Sequence, residues 1–67
     1  MGYEFTKSDF DKGNRVFVRF GNEILEGYIV DIHTYYNEKG NEYTYTIIVN
    51  NGRRTLKNIP PTVINKA

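Results

Sequence analysis

No cysteine occurs in this 67-residue chain. Its absence excludes a disulfide staple, a thiolate zinc site and a thiol nucleophile together. The single histidine is too few for an ordinary two-histidine metal centre. No apolar run approaches the ~18 residues of a membrane span, and no signal-peptide core opens the chain. The expectation is a cytoplasmic protein with no membrane association, no metal and no cofactor. A glycine-rich phosphate cradle is missing too, because the six glycines are scattered singly among turns. Neither charge is in excess: nine Lys plus Arg face eight Asp plus Glu, for a net charge of +1. A protein that coats duplex nucleic acid by charge alone carries a clear basic surplus. Nothing repeats, and no segment is low in complexity.

What remains describes a small globular domain. Hydrophobic residues make up 39%, charged residues 25% and aromatics 15%, which is rich for so short a chain. A single domain spanning 1–67 is expected, burying ~60% of its extended-chain surface around a thin core. Charge is unevenly spread. Glu4, Asp9 and Asp11 stand near the start against Lys7, whereas Arg53, Arg54, Lys57 and Lys66 stand near the end with no acid among them.

The chain reads as short β-rich runs separated by turn chemistry. Val16, Val18 and Phe20 alternate with Arg15, Phe17 and Arg19, and Gly21-Asn22 closes that run. A second run covers about 24–36, dense in β-branched and aromatic side chains. Polar Asn37-Glu38-Lys39-Gly40-Asn41 is expected as a hairpin loop. In the third run, 42–50, Tyr43, Tyr45, Ile47 and Val49 share one face, and Thr44, Thr46 and Ile48 the other. Asn51-Gly52 is a strong hairpin signal, followed by a fourth strand around Leu56 that Pro60-Pro61 stops. Helix is confined to a single turn within Thr6–Lys12. Short antiparallel strands at this spacing predict an all-β barrel, with a two-sheet sandwich as the structural alternative.

From Lys12 onward the chain resembles the SH3-like barrels of the Tudor and KOW type. The resemblance rests on the turn and alternating valines of Lys12-Gly13-Asn14-Arg15-Val16-Phe17-Val18 and on the glycine-led strand Gly27-Tyr28-Ile29-Val30-Asp31-Ile32. It continues through the tight turn Ile47-Ile48-Val49-Asn50-Asn51-Gly52-Arg53 and the closing segment Ile59-Pro60-Pro61-Thr62-Val63-Ile64. It implies a single five-stranded antiparallel SH3-like barrel over 13–64, with a short 3₁₀ turn before the last strand. The segment 1–12 would pack over one opening through Tyr3, Phe5 and Phe10. Strict alternation and the resemblance differ over the second strand. Alternation places Tyr28, Val30 and Ile32 inside, whereas the family pattern places Gly27 and Ile29 inside, then a bulge, then Ile32. The bulged register is preferred. The expected core is Val16, Val18, Ile29, Ile32, Tyr45, Ile47, Val49, Leu56 and Val63.

Three kinds of chemistry compete for the surface. His33 shares a strand face with Asp31, but a half-exposed strand pair explains them as well as an acid–base pair. Asp9, Asp11, Glu23 and Glu26 suit solvated turns, so no catalytic residue is expected and the chain reads as a non-enzyme. Arg15, Phe17 and Arg19 form an outward cation–aromatic–cation stripe that suits nucleic acid, and Arg53 with Lys57 forms a second basic row. Exposed Arg and Lys also serve simply to keep sheet edges apart. Six tyrosines are many for this length. Tyr28, Tyr35, Tyr36, Tyr43 and Tyr45 cluster around one hairpin, and tyrosine dominates protein interfaces. Tyr43 and Tyr45 serve equally as cross-strand partners of Tyr35 and Thr34. The leading expectation is a non-catalytic binding module, a small adaptor or inhibitor docking on another protein through Tyr28, Tyr35, Tyr36 and Tyr43. A nucleic-acid-binding barrel using Arg15, Phe17, Arg19, Arg53 and Lys57 is the alternative. Free-standing barrels of this size occur among bacterial and phage accessory proteins.

Overall fold

Alternation at Arg15–Phe20 produces the first strand, β1, with Val16 and Val18 fully buried and Arg15, Phe17 and Arg19 exposed. The computed structural model describes residues 6–67. Strands β2 (Glu23–Asn37), β3 (Gly40–Val49), β4 (Arg54–Ile59) and β5 (Ile64–Lys66) follow. All neighbours are antiparallel and form one sheet in the order β4-β3-β2-β1-β5, so two packed sheets do not form. Among the described residues there is no α-helix, and the expected helical turn within Thr6–Lys12 is replaced by bends and a turn.

β2 is long because it does two jobs. Its first part pairs with β1 from Glu23 to Tyr28, and from Gly27 to Asn37 it pairs with β3. Register slips between Ile29 and Asp31, leaving Val30 as the extra residue of a bulge. Gly27 and Ile29 therefore face inward, Val30 is exposed, and Ile32 packs partly against the core, as the bulged register predicts. The bulge reverses the phase of everything beyond it. Without that reversal, Ile32 would lie on the outer face.

Three local details depart from simple alternation. The hairpin loop shrinks to Glu38-Lys39, because pairing runs on to Asn37↔Gly40. In β4, Leu56 and Ile59 are both buried although three positions apart. Asn58 takes a positive φ of 57° between them and the register with β3 shifts, which turns Ile59 inward. Near the end, the 3₁₀ turn Pro61–Val63 resets the phase. Ile64, not Val63, is the buried residue there, and Val63 packs only partly against the core.

Both sheet edges contribute to one core, Leu56 and Ile59 from β4 and Ile64 from β5, beside Val16, Val18, Ile29, Tyr45, Ile47 and Val49. The sheet must therefore curl strongly, since in a flat sheet five strands would hold its edges ~19 Å apart. Each end of the curl is covered. At one end Phe10 meets the Tyr45 ring edge-on at 5.3 Å, with the Lys66 ammonium 6.0 Å above its face. At the other, the Arg54 guanidinium lies 5.0 Å over Phe20. Arg54 shares the inward parity of Leu56 yet reaches water, as a long side chain at a strand mouth can. Tyr3 and Phe5 lie outside the described residues.

Two glycines are required for different reasons. At Gly27 a methyl group would overlap the Ile48 carbonyl oxygen and lie 2.7 Å from Val49 Cγ1. At Gly52 there is room for one, but φ is +86°. Asn51 and Gly52 both have positive φ, and the Arg53 amide donates to the Asn50 carbonyl at 3.2 Å, which is type I′ turn geometry. Gly27→Ala should cost about 3 kcal/mol, because the obstacle is backbone and cannot rotate away. Gly52→Ala should cost about 1 kcal/mol through strain alone. Urea titration of both variants checks the order; equal midpoints would show that β2 can back away from β3.

Candidate functional site

Four side chains were expected to form one tyrosine surface, and the structure separates them. Beyond the bulge, the outer halves of β2 and β3 form a two-stranded ribbon. Thr34 pairs with Tyr43 and Tyr36 with Asn41, on the same face as Ile32 and Tyr45. Tyr35, opposite Glu42, points to the other face. There its hydroxyl donates to Asn58 Oδ1 over 3.4 Å. Exposure is 74% for Tyr36 and 49% for Tyr35. Tyr45 pairs with Ile32 rather than with Thr34 or Tyr35, because the two-residue turn at Glu38-Lys39 fixes the register from Asn37↔Gly40 onward. Tyr28 is remote from all of these, seven positions before Tyr35 and so about 20 Å away along the strand. Instead it lines a cleft of about 380 Å³ with Glu26, Val30, Ile48 and the turn residues Asn51 and Gly52.

Tyr43 is half-buried and faces the N-terminal segment. Its hydroxyl donates to the Thr6 carbonyl at 2.6 Å. Asn41 completes the clasp, accepting the Thr6 amide at 2.8 Å and donating to the Thr6 carbonyl at 2.9 Å. Next along the groove, Ser8 Oγ lies 2.6 Å from the Tyr45 hydroxyl and 2.6 Å from the Phe10 carbonyl. Oγ has one proton. With that proton donated to the carbonyl, the buried Tyr45 hydroxyl must donate to Ser8. Neither Asn41 nor the Tyr45 hydroxyl was singled out from the sequence. The signal was their shared parity with Tyr43, three positions on one ribbon face.

Along the sheet the two basic rows lie on strands that are not neighbours. Phe17 and Arg19 face the closing segment, lining a pocket of about 230 Å³ with Ile24, Thr62, Val63 and Asn65. Arg15 is tied to the Glu26 carboxylate on β2. Arg53 lies in the turn before β4 and Lys57 on that strand, both exposed. β2 and β3 stand between β1 and β4. The row Arg15, Tyr28, Ile48, Thr55 crosses β1 to β4, so on that side Tyr28 and Ile48 lie between the cations.

On the outer face beside the bulge, His33 Nε2 lies 3.8 Å from Asp31 and 3.3 Å from Thr46 Oγ1. Lys12 Nζ approaches Asp31 at 3.6 Å. The Ile32 amide donates to Asp31 Oδ1 at 2.9 Å. That amide is the main reason the Asp31 carboxyl sits below its ordinary value, with His33 and Lys12 adding to the effect and partial desolvation opposing it. The group pins a bulge and is open to water. Among the described residues, no cluster of three His, Cys, Asp or Glu side chains is placed to hold a metal ion. No helix there is long and apolar enough to cross a membrane.

Fold and surface together define a small all-β protein with one curled antiparallel sheet and a projecting ribbon. No protein-family model matches the chain, and neither a curated protein nor a solved structure does.

Two tests follow from this geometry. Ser8→Ala removes the acceptor of a buried hydroxyl and should cost about 1–3 kcal/mol. Adding Tyr45→Phe should recover part of that loss, since it removes the stranded donor as well; a purely additive double variant would show that the hydroxyl finds another acceptor. For Asp31 the sign is that of a depressed carboxyl: its contribution is present above the unfolded pKa and is lost as pH falls through the folded one. Stability of Asp31→Asn should therefore fall less steeply than wild type between about pH 5 and 2. Superimposable acid-unfolding curves would remove Asp31 from the account of the bulge.

Proposed function

We propose that the protein is a non-catalytic binding module, a small adaptor or inhibitor that docks on another protein through the outer half of the β2–β3 hairpin. The observation carrying this reading is the exposure of Tyr36 at 74%, with Tyr35 at 49%, on a ribbon that runs beyond the core. Tyrosine offers large contact area at a low entropy cost and is enriched at interface hot spots. With Tyr35 on one face and Tyr36 on the other, a partner that grips the ribbon meets an aromatic ring on either side. Tyr28 falls outside this surface. Tyr43 belongs to it only in part, because its hydroxyl is engaged with Thr6.

Nucleic-acid binding through Arg15, Phe17, Arg19, Arg53 and Lys57 is the second reading. It draws support from the exposed cations Arg19, Arg53 and Lys57. Against it stand the neutralisation of Arg15 by Glu26 and the band of Tyr28 and Ile48 between the rows. The strand order β4-β3-β2-β1-β5 and the 3₁₀ turn before β5 support the SH3-like resemblance. Lack of cysteine suits a cytoplasmic site of action, as in bacterial or phage accessory proteins.

Pull-down from bacterial lysate, with and without nuclease, identifies the partner class. Against a partner so captured, Tyr36→Ala should weaken binding by about tenfold or more. Arg53→Glu should change affinity less than about twofold and stability by less than ~0.5 kcal/mol. Loss of every partner after nuclease, or an affinity that collapses with salt, would transfer the function to the basic residues.

A further inference from the structure

The groove beside the ribbon already holds a peptide: the chain's own. Residues from Thr6 to Phe10 are seated by partners far off in sequence, and the contacts divide by type. At Thr6 all three hydrogen bonds engage its backbone amide and carbonyl. The side-chain amide of Asn41 mimics a neighbouring strand there, and any non-proline residue can satisfy it. At the next two contact positions the side chain matters. Ser8 Oγ accepts the Phe10 amide at 3.2 Å and bonds the Tyr45 hydroxyl. Phe10 is only 7% exposed, edge-on to Tyr45 and beneath Lys66.

We propose that Asn41, Tyr43 and Tyr45 form a peptide-reading groove that the N-terminal segment occupies in cis. In trans it accepts a segment of the same chemistry: a residue of any non-proline type gripped by its backbone, then a hydroxyl residue two positions on, then an aromatic residue two positions further. The occupant seen in the structure is the reason for committing to this class. The groove is joined to that occupant through a short link at 11–14, closed by the Asn14 amide on the Asp11 carbonyl at 3.1 Å and the Asp11 amide on Asn14 Oδ1 at 3.0 Å. So short a tether gives the cis segment an effective concentration of order mM, which a trans peptide must overcome. Weakening the cis contacts should therefore raise the apparent affinity for a trans peptide in proportion to the fraction of open groove. Tyr36 borders this groove, opposite Asn41, but the test uses a peptide probe and no partner protein, so either reading can fail without the other.

The probe is a fluorescent peptide spanning Thr6–Lys12, titrated by anisotropy against the full chain. Phe10→Ala in the full chain should bind it at least about tenfold more tightly than wild type. Asn41→Ala added to that variant should lose most of the gain, and a probe carrying alanine in place of Phe10 should not bind. Because Phe10→Ala removes a core ring, Thr6→Pro provides a second full-length variant. It deletes the amide that Asn41 accepts and leaves the core intact; it too should bind the probe more tightly than wild type. No gain in whichever of the two variants retains a dispersed amide spectrum overturns the proposal. Concentration-dependent dimerisation of Thr6→Pro without probe binding also overturns it, in favour of a second copy as the occupant.

Discussion

The distance between β2 and β3 at Gly27 sets the curvature on which the rest of the molecule depends. A glycine there lets the strand lie against the Ile48 carbonyl more closely than any side chain would allow. Three residues later the bulge at Val30 adds twist and bends the same strand again. Between them these two features bring both sheet edges onto one core, so that Ile64 and Leu56 can be buried together. A domain this small has little apolar area to lose. Curling the sheet allows each of its few inward side chains to be buried from several sides.

The bulge has a second consequence, for the surface. It exchanges the two faces of β2, so Ile32 continues the inner face and Thr34 and Tyr36 follow it outward along the ribbon. On β3 the matching residues are Tyr45, Tyr43 and Asn41. The inner face of the core thus runs without interruption into the groove that receives the N-terminal segment. Tyr45 belongs to both, its ring in the core and its hydroxyl bonded to Ser8. Packing and recognition share that residue. The buried hydroxyl is satisfied only while the segment is in place, which couples occupancy of the groove to the stability of the core.

Much of the fold was legible because β-strand alternation is a physical consequence of burying one face. β1 alternates cleanly in Val16 and Val18, and the inner half of β3 turns Tyr45, Ile47 and Val49 inward as expected, although Thr46 on its other face is buried as well. The bulge at Val30 was readable only through the glycine-led pattern around Gly27, since simple alternation pointed the other way. Ile59 and Ile64 were missed because a backbone event just before each changed the phase: a positive φ at Asn58 before Ile59, and a 3₁₀ turn at Pro61–Val63 before Ile64. Neither event has a hydrophobic signature. The hairpin loop was drawn too long for a related reason, as polar Asn37 and Asn41 look like loop residues yet pair at the end of a solvated ribbon.

The candidate surfaces were legible as residue types and not as places. Counting tyrosines identified the hairpin, but a count carries no face: Tyr35 and Tyr36 are consecutive on β2 and so point to opposite sides. The outward basic rows differ in kind: Arg15, Phe17 and Arg19 are exposed along β1, whereas Arg53 lies in the turn before β4 and only Lys57 on that strand. The two strands between the rows depend on topology. Asn41 was invisible because its role is to imitate backbone, and backbone mimicry requires only an amide at the right register. Opposite Tyr36 and two positions before Tyr43, it stands where a further strand would otherwise place its peptide groups. A ribbon of two strands is marginal by itself. Here the clasp on Thr6 supplies part of what a third strand would, which explains why an element built for projection holds its shape beyond the core.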